Sequence, residues 1–240
     1  MDTSTINPEA FAVTLKAIAT IQTPYESKFG VPRQSGVVDE LACRIVFAPE
    51  FRNKDALRGI EGYDYLWLIW SFSEAIRAEW SPTVRPPRLG GNVRQGVFAT
   101  RSPFRPNPLA LSSVRLLAVE EDPHDGPVLV VDGADMMNGT PIYDIKPYLP
   151  FTDSHPDARA GFAQTVLGDQ LRVEFPQTLL AKLPKHLQKG ACAMLAQNPT
   201  PHYQKDPERV YGVLFGGFDI RFRVADGIAT VIEVVSEKTV

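Results

Sequence analysis

With 240 residues, 44% of them hydrophobic and 22% charged, the chain suits one large globular domain, or one domain with a small appendage, and can bury a real core. Its formal net charge of -3 excludes a polyanion binder acting through its whole surface, so any contact with nucleic acid must come from a local patch. The two cysteines, Cys43 and Cys192, lie far apart without CxxC spacing, which leaves a disulfide framework or a structural zinc site without support and marks both as reduced core thiols.

The first half predicts mainly strands. Apolar residues alternate over residues 11–17, and Leu41, Cys43, Ile45 and Phe47 repeat the alternation, as half-buried strands require. Residues 49–62 are mixed and polar and end in a glycine before the apolar run 65–72, which is short, aromatic and β-branched enough for a buried strand. Further strands are predicted at 97–100, 109–119 and 128–131. Short strands joined by Pro/Gly loops point to a closed or nearly closed sheet, because closure removes exposed edges.

After residue 151 the pattern changes. Residues 158–167 and 176–196 carry helical spacing, with Leu179, Leu180, Leu183, Leu187, Ala191 and Leu195 as one apolar stripe and Pro184 starting or kinking the longer helix. The tail, 210–235, predicts a meander turning at Gly216-Gly217 and Asp226-Gly227. A boundary between 153 and 168 gives a β-rich domain over residues 1–153 and a small α+β domain over 154–240. No apolar run approaches the roughly 18 residues that span a bilayer, and no basic segment precedes an apolar one at the N-terminus, so a cytoplasmic protein with no membrane partner is expected.

One stretch stands out chemically. Residues 80–119 contain no Asp, Glu or Lys, yet hold Arg85, Arg88, Arg94, Arg101, Arg105 and Arg115. The planar guanidinium grips phosphate or carboxylate bidentately and stacks on bases, whereas lysine offers a point charge, so this segregation predicts directional anion recognition. The prolines at 82, 86, 87, 103, 106 and 108 fix these loops before a ligand arrives, which lowers the ordering entropy lost on binding. For Arg115, inside a predicted strand, pairing with an acid elsewhere in the fold is an equal alternative.

Other chemistries are absent. The sequence has no P-loop, no HExxH and no GxSxG, and no Gly-rich turn follows a strand as a doubly wound cofactor domain needs. His124, His155, His186 and His202 are scattered, so no metal site is expected.

Several motifs follow one another in order: Val31-Pro32-Arg33-Gln34; residues 82–92, rich in Pro, Arg and Gly; Gly96-Val97-Phe98-Ala99-Thr100-Arg101-Ser102; Phe104-Arg105-Pro106-Asn107-Pro108; and Gly139-Thr140-Pro141 leading to residues 144–150. Together they closely resemble the TrmO family, also called TsaA-like or YaeB-like, of tRNA methyltransferases. The resemblance covers most of the chain and is strongest over residues 24–151. It implies a mainly β protein, a single-sheeted antiparallel β-barrel with a smaller C-terminal α+β domain. It also implies a homodimer with the cofactor site near the subunit interface, S-adenosyl-L-methionine as methyl donor, and N6-methylation of threonylcarbamoyladenosine at position 37 in the tRNA anticodon loop. The chain departs from the family at Asn198-Pro199-Thr200-Pro201-His202-Tyr203, where Asp-Pro-Arg-Pro-x-Tyr is usual, which bears on how tRNA is held.

By this resemblance the cofactor site gathers Pro32, Arg33, Gln34, Ser73, Glu74, Arg101, Leu111, Asp135, Met136, Met137, Asn138, Gly139 and Thr140. S-adenosylmethionine presents a sulfonium, a carboxylate, ribose hydroxyls and an adenine, so Arg33 or Arg101 is assigned to the carboxylate, Glu74 or Asp135 to polar groups, and Met136 and Leu111 to the adenine walls. Core filling is the alternative for Met136 and Met137, and for Asp135, Asn138 and Gly139 it is a turn that needs them for its own backbone. Asn107-Pro108-Leu109 loosely resembles the Asn/Asp-Pro-Pro-aromatic motif of other adenine-N6 methyltransferases, which makes Asn107 the catalytic candidate that holds the amine, with a proline-fixed loop as the alternative. Arg85, Arg88, Arg94, Arg105, Lys146 and Tyr203 are the tRNA-binding candidates; Lys146 and Tyr148 could instead shape the dimer. A non-catalytic RNA-binding protein is the alternative function, and a hydrolase of small acidic metabolites lacks a credible nucleophile.

Overall fold

The computed structural model describes residues 8–75, 79–86, 93–166, 170–200 and 206–237. Twelve strands are present among them: β1 (Ala19–Gln22), β2 (Cys43–Phe47), β3 (Tyr65–Ser71), β4 (Thr83–Val84), β5 (Gln95–Gly96), β6 (Leu109–Asp122), β7 (Gly126–Asp132), β8 (Pro141–Pro147), β9 (Arg172–Glu174), β10 (Tyr211–Phe215), β11 (Phe218–Ala225) and β12 (Ile228–Ser236). Three helices accompany them, α1 (Pro150–Asp153), α2 (Gln177–Leu180) and α3 (Lys185–Ala196), with several short 3₁₀ turns.

Six strands pair in the cyclic order β1-β2-β7-β6-β3-β8, every pair antiparallel, and β1 closes the ring by bonding both β2 and β8. The long strand β6 makes the circuit possible. Its first half pairs β3 from Leu109 to Arg115, an irregularity at Leu116/Ala118 redirects it, and its second half pairs β7. Alternation does what period two requires: Leu66, Leu68 and Trp70 on β3 and Ser112 and Val114 on β6 turn inward with Ile21, Ile45, Leu129, Val131 and Ile142.

The second sheet runs β10-β11-β12-β9, antiparallel except for the β12–β9 pair. Helix α3 covers it with Leu187, Ala191, Met194 and Leu195, while Leu183 joins them and Leu179 and Leu180 pack at the margin. Pro184 sits at the helix N-cap, where a missing N–H is harmless, so it separates α2 from α3 instead of kinking one helix.

This second core is not confined to the C-terminal half. Tyr25, Val38 and Leu41 are buried in it, Phe29 and Val31 pack against it, and Gly216 N donates to Pro24 O at 2.8 Å. Gly30 is required there: its φ is +98°, and a Cβ would lie 2.5 Å from Val213 Cγ2. The segment carrying Pro32, Arg33 and Gln34 is therefore anchored on one side by the second core.

Several expectations need correction. Residues 11–17 form no strand; Pro8–Phe11 is a 3₁₀ turn, Phe11, Val13 and Leu15 are exposed, and pairing begins only at Ala19, opposite Phe47 and Ile142. Alternation without a neighbouring strand has nothing to bury against. Val97–Ala99 is likewise a 3₁₀ turn, with Val97 alone buried. The predicted helix at 158–167 is a 3₁₀ segment at Gly161–Val166. The protein is mainly β, as expected, and holds several sheets: the six-stranded ring, the four-stranded C-terminal sheet and the two-stranded β4–β5 ribbon. No helix among the described residues is long and apolar enough to cross a membrane.

Candidate functional site

A cleft of about 470 Å³ opens where the end of β3 and the start of β6 meet three loops, around residues 31–34, 100–105 and 135–140. That volume is within the usual range for a cofactor-sized ligand. Trp70 and Ser112, both buried, contribute to its lining from adjacent strands. Trp70 Nε1 donates to Ser112 Oγ at 2.9 Å, and Ser112 Oγ donates to Asp135 Oδ1 at 2.6 Å. Asp135 is the one carboxylate among the described lining residues, and Lys28, Arg33, Arg101 and Arg105 line the same cleft. Burial raises its pKa above the ordinary carboxylate value, and the Ser112 hydrogen bond and the Arg101 charge act against that rise.

The cationic side of the cleft is cross-linked. Arg101 Nη1 donates to Gln34 Oε1, Gln34 Nε2 donates to Arg33 O, and Arg33 Nη2 reaches Asn198 O at 3.3 Å. Segment 31–34 thus joins the loop after Thr100 to the departed motif at Asn198. Arg105 Nη1 donates to Thr100 O at 3.1 Å and Ser102 O at 3.3 Å, which fixes its own loop while the side chain lines the cleft.

The turn at 135–140 is built largely for its backbone. Asn138 Oδ1 accepts from Thr23 N at 3.2 Å, Gly139 N donates to Ile21 O at 2.8 Å, and Gly139 has φ +78°. Thr140 Oγ1 closes the turn on Met137 O at 2.8 Å.

Of the residues expected around the cofactor, Pro32, Arg33, Gln34, Ser73, Arg101, Leu111, Asp135, Met137 and Thr140 line this one cleft. Met136 does not. Its side chain is 1% exposed and packs in the ring core, so it fills space there and its neighbour Met137 faces the cleft. Asn138 and Gly139 are exposed and serve the turn. The side chain of Glu74 lies outside the described residues.

Trp70 and Ser112 were missed because a tryptophan and a serine inside strands read as ordinary strand residues. The available signal was a hydroxyl between Ala110 and Val114 on the inward face of β6, a position that demands a polar partner.

The other arginines divide. Arg85 and Arg94 are exposed on either arm of the β4–β5 ribbon, away from the cleft lining, and Arg94 Nη1 donates to Thr83 Oγ1 at 3.1 Å. Arg115 pairs with buried Asp132, Nε to Oδ2 at 3.0 Å, which settles it as an ion-paired strand residue. Lys146 on β8 pairs with Asp144 at 2.9 Å and is not in the cleft lining. Asn107 is exposed between cleft-lining Arg105 and Leu109, and its carbonyl accepts from Leu109 N at 2.7 Å. Arg88 and Tyr203 lie outside the described residues. Among the described residues no group of His, Cys, Asp or Glu could hold a metal ion, and His124, His155 and His186 are exposed.

Comparison with known proteins adds to this geometry. Residues 20–154 match the family model of the tRNA-methyltransferase O N-terminal domain, and residues 168–237 match that of the TrmO C-terminal domain. The chain is 42% identical over 217 residues to the tRNA (adenine(37)-N6)-methyltransferase of Escherichia coli (strain K12), covering 87% of this chain and 92% of that protein. It is 43% identical over 175 residues to the protein of the same name from Eikenella corrodens, covering 72% and 98%. A crystal structure of TrmO from Pseudomonas aeruginosa superimposes with a TM-score of 0.75 at 27% identity, covering 94% of this chain and 100% of that one.

Proposed function

The chain belongs to the TrmO family of tRNA methyltransferases, and from that premise we propose that it methylates N6 of threonylcarbamoyladenosine at position 37 of tRNA with S-adenosylmethionine as donor. The observation that carries this reading is the convergence of Arg33, Gln34 and Arg101 with the Trp70-Ser112-Asp135 chain in one cleft.

The donor set fits the cofactor. Its carboxylate needs a planar cation, and the guanidiniums of Arg33, Arg101 and Arg105 line the cleft; its cationic groups need an anion, and Asp135 is there; its adenine needs apolar walls, and Leu111 and Met137 supply them. When bound, S-adenosylmethionine supplies an electrophilic methyl group on a sulfonium. The protein's part is to bind, orient and exclude water. Arg33 and Arg101 orient the ligand's carboxylate end, with Gln34 holding Arg101 in place. Ser112 keeps Asp135 in its acceptor form. Asn107 is assigned to hold the adenosine amine, whose N–H is acidified by the adjoining carbonyl, so a modest acceptor suffices.

Arg85 and Arg94 are assigned to the anticodon loop phosphates, with Arg88, Arg105, Lys146 and Tyr203 as further tRNA contacts. The six-stranded ring serves as the barrel of a catalytic domain over residues 1–153, and residues 154–240 form the accessory domain. A cytoplasmic homodimer with the cleft near its interface completes the proposal. The non-catalytic RNA-binding reading has no support among the relatives.

The test pairs calorimetry with S-adenosylmethionine and mass analysis of tRNA nucleosides from a deletion strain carrying the wild-type chain or its Arg101→Ala variant. Expected is micromolar cofactor binding, on the order of ordinary enzyme ligands, and return of the methylated nucleoside with the wild type alone. Absence of cofactor binding together with an unmethylated nucleoside would overturn the reading.

A further inference from the structure

Two large aromatic side chains lie exposed together at the foot of the β4–β5 ribbon. Trp80 is 49% exposed and Phe98 73% exposed, yet their rings are stacked, with centroids 6.2 Å apart and planes 23° from parallel. A stacked pair left in water is costly unless something covers it, since each ring withholds a large apolar area from the core.

The pair is held firmly from both sides. Val97 N donates to Pro82 O at 3.0 Å, Ser81 N to Phe104 O at 3.3 Å, and Ser81 Oγ to Thr83 O at 2.6 Å. Phe98 stands two residues before Thr100, which lines the cleft, and Arg94 and Arg85 stand on the arms of the same ribbon. Cleft, aromatic pair and exposed arginines therefore follow one another along one short stretch of structure.

Charge decides which occupant fits. Exposed Arg85 and Arg94 stand on the ribbon beside the pair against the single carboxylate of Glu79, next to Trp80, so the patch favours an anionic partner whose apolar faces can stack. We infer that Trp80 and Phe98 form a stacking platform for an unpaired base next to the target nucleotide, with Arg85 and Arg94 on the flanking phosphates. The inference rests on the tRNA reading above and adds how the loop, as distinct from the stem, is recognised.

The full-length protein is titrated with a labelled anticodon stem-loop RNA and with a duplex of the stem alone, by fluorescence anisotropy. The Trp80→Ala/Phe98→Ala variant is expected to lose stem-loop affinity by about tenfold or more, the worth of one stacked base, while duplex affinity and calorimetric cofactor binding stay as in the wild type. Trp80→Phe, which keeps a ring, is expected to recover most of the loss. Unchanged stem-loop affinity in the double variant overturns the platform, as does an equal loss for stem-loop and duplex. A fall in sedimentation mass on making the double variant also overturns it, and assigns the pair to contact between copies. Failure of the wild type to bind cofactor or methylate tRNA is a separate result, and tells against the function proposed above.

Discussion

Ser112 Oγ lies 2.6 Å from Asp135 Oδ1, and since Trp70 Nε1 already donates to that hydroxyl at 2.9 Å, the serine proton is directed to the aspartate. The polarity of the chain is therefore set: the indole can only donate, and the carboxylate can only accept while it is ionised. Ser112→Ala removes the bond that most opposes the burial of Asp135. The Asp135 pKa, already raised, should rise further, so the acid limb of cofactor affinity moves to higher pH. Calorimetry across the acid range checks this, and an unshifted limb refutes it. Loss of the bond to a part-buried carboxylate should also lower stability by about 1–3 kcal/mol.

Arg101 and Arg94 should fail differently, although both belong to the same acid-free stretch. Arg101 lines the cleft against Gln34, whereas Arg94 is exposed on the ribbon. Arg101→Ala should weaken cofactor binding by roughly tenfold or more, as removal of a charge-assisted contact does. Arg94→Ala should leave cofactor affinity alone and reduce the slope of log K for tRNA against log salt by about one. Identical behaviour of the two variants in both assays contradicts the division.

Legibility from sequence followed local chemistry. The tail meander was readable because its turns carry residues that accept positive φ: Gly216 and Gly217 at +58° and +80°, Asp226 and Gly227 at +49° and +75°. The α3 stripe was readable from its spacing. Residues 11–17 misled because alternation reports a two-faced segment and not a pairing partner, and pairing starts only at Ala19, opposite the last residue of β2 and beside the start of β8. At the cleft, Arg33, Gln34 and Arg101 carried motif signals, but Trp70 and Ser112 became visible only when β3 and β6 were aligned, with Trp70 opposite Ala110. The contribution of Tyr25 and Val38 to the second core is long-range and left no periodic trace, and Leu41, which shares the alternation of Cys43, Ile45 and Phe47, precedes β2 and is buried in the second core instead.

Gly30 ties that second core to the cleft. Ala at this position meets both a φ of +98° and a Cβ contact of 2.5 Å with Val213 Cγ2. Backbone strain and overpacking together should lower stability by about 2–4 kcal/mol. Because Val31, Pro32 and Arg33 follow directly and line the cleft, cofactor affinity should fall as well, which separates this variant from an equally destabilising change in α3. Urea unfolding and calorimetry on the same preparations make the comparison; unaltered affinity would detach the core from the site.

Two buried titratable groups, Tyr25 and Cys43, couple the stability of the fold to alkaline pH. Tyr25 OH is buried with no hydrogen-bond partner among the described residues, and burial first, then the nearby Cys43, Glu40 and Asp135, push its pKa far above the usual phenol. Burial likewise pushes the Cys43 thiol from 9.0 up to about 12, with Asp132 adding to it. Both folded values exceed the unfolded ones, so the native state holds these protons more tightly. The Cys43 contribution is fully present below its unfolded value and disappears as pH rises from 9.0 through about 12, while the Tyr25 contribution is fully present below 10.0 and declines above it. Tyr25→Phe keeps the edge-on contact with Phe215 and deletes the orphaned hydroxyl. It should raise stability at neutral pH by about 1 kcal/mol, the penalty of an unpaired buried polar group. It should also flatten the alkaline decline above the ordinary tyrosine range, whereas Cys43→Ala should flatten the part that begins lower. Urea unfolding at neutral and alkaline pH measures both effects, and a Tyr25→Phe protein less stable than the parent at neutral pH contradicts the orphaned hydroxyl.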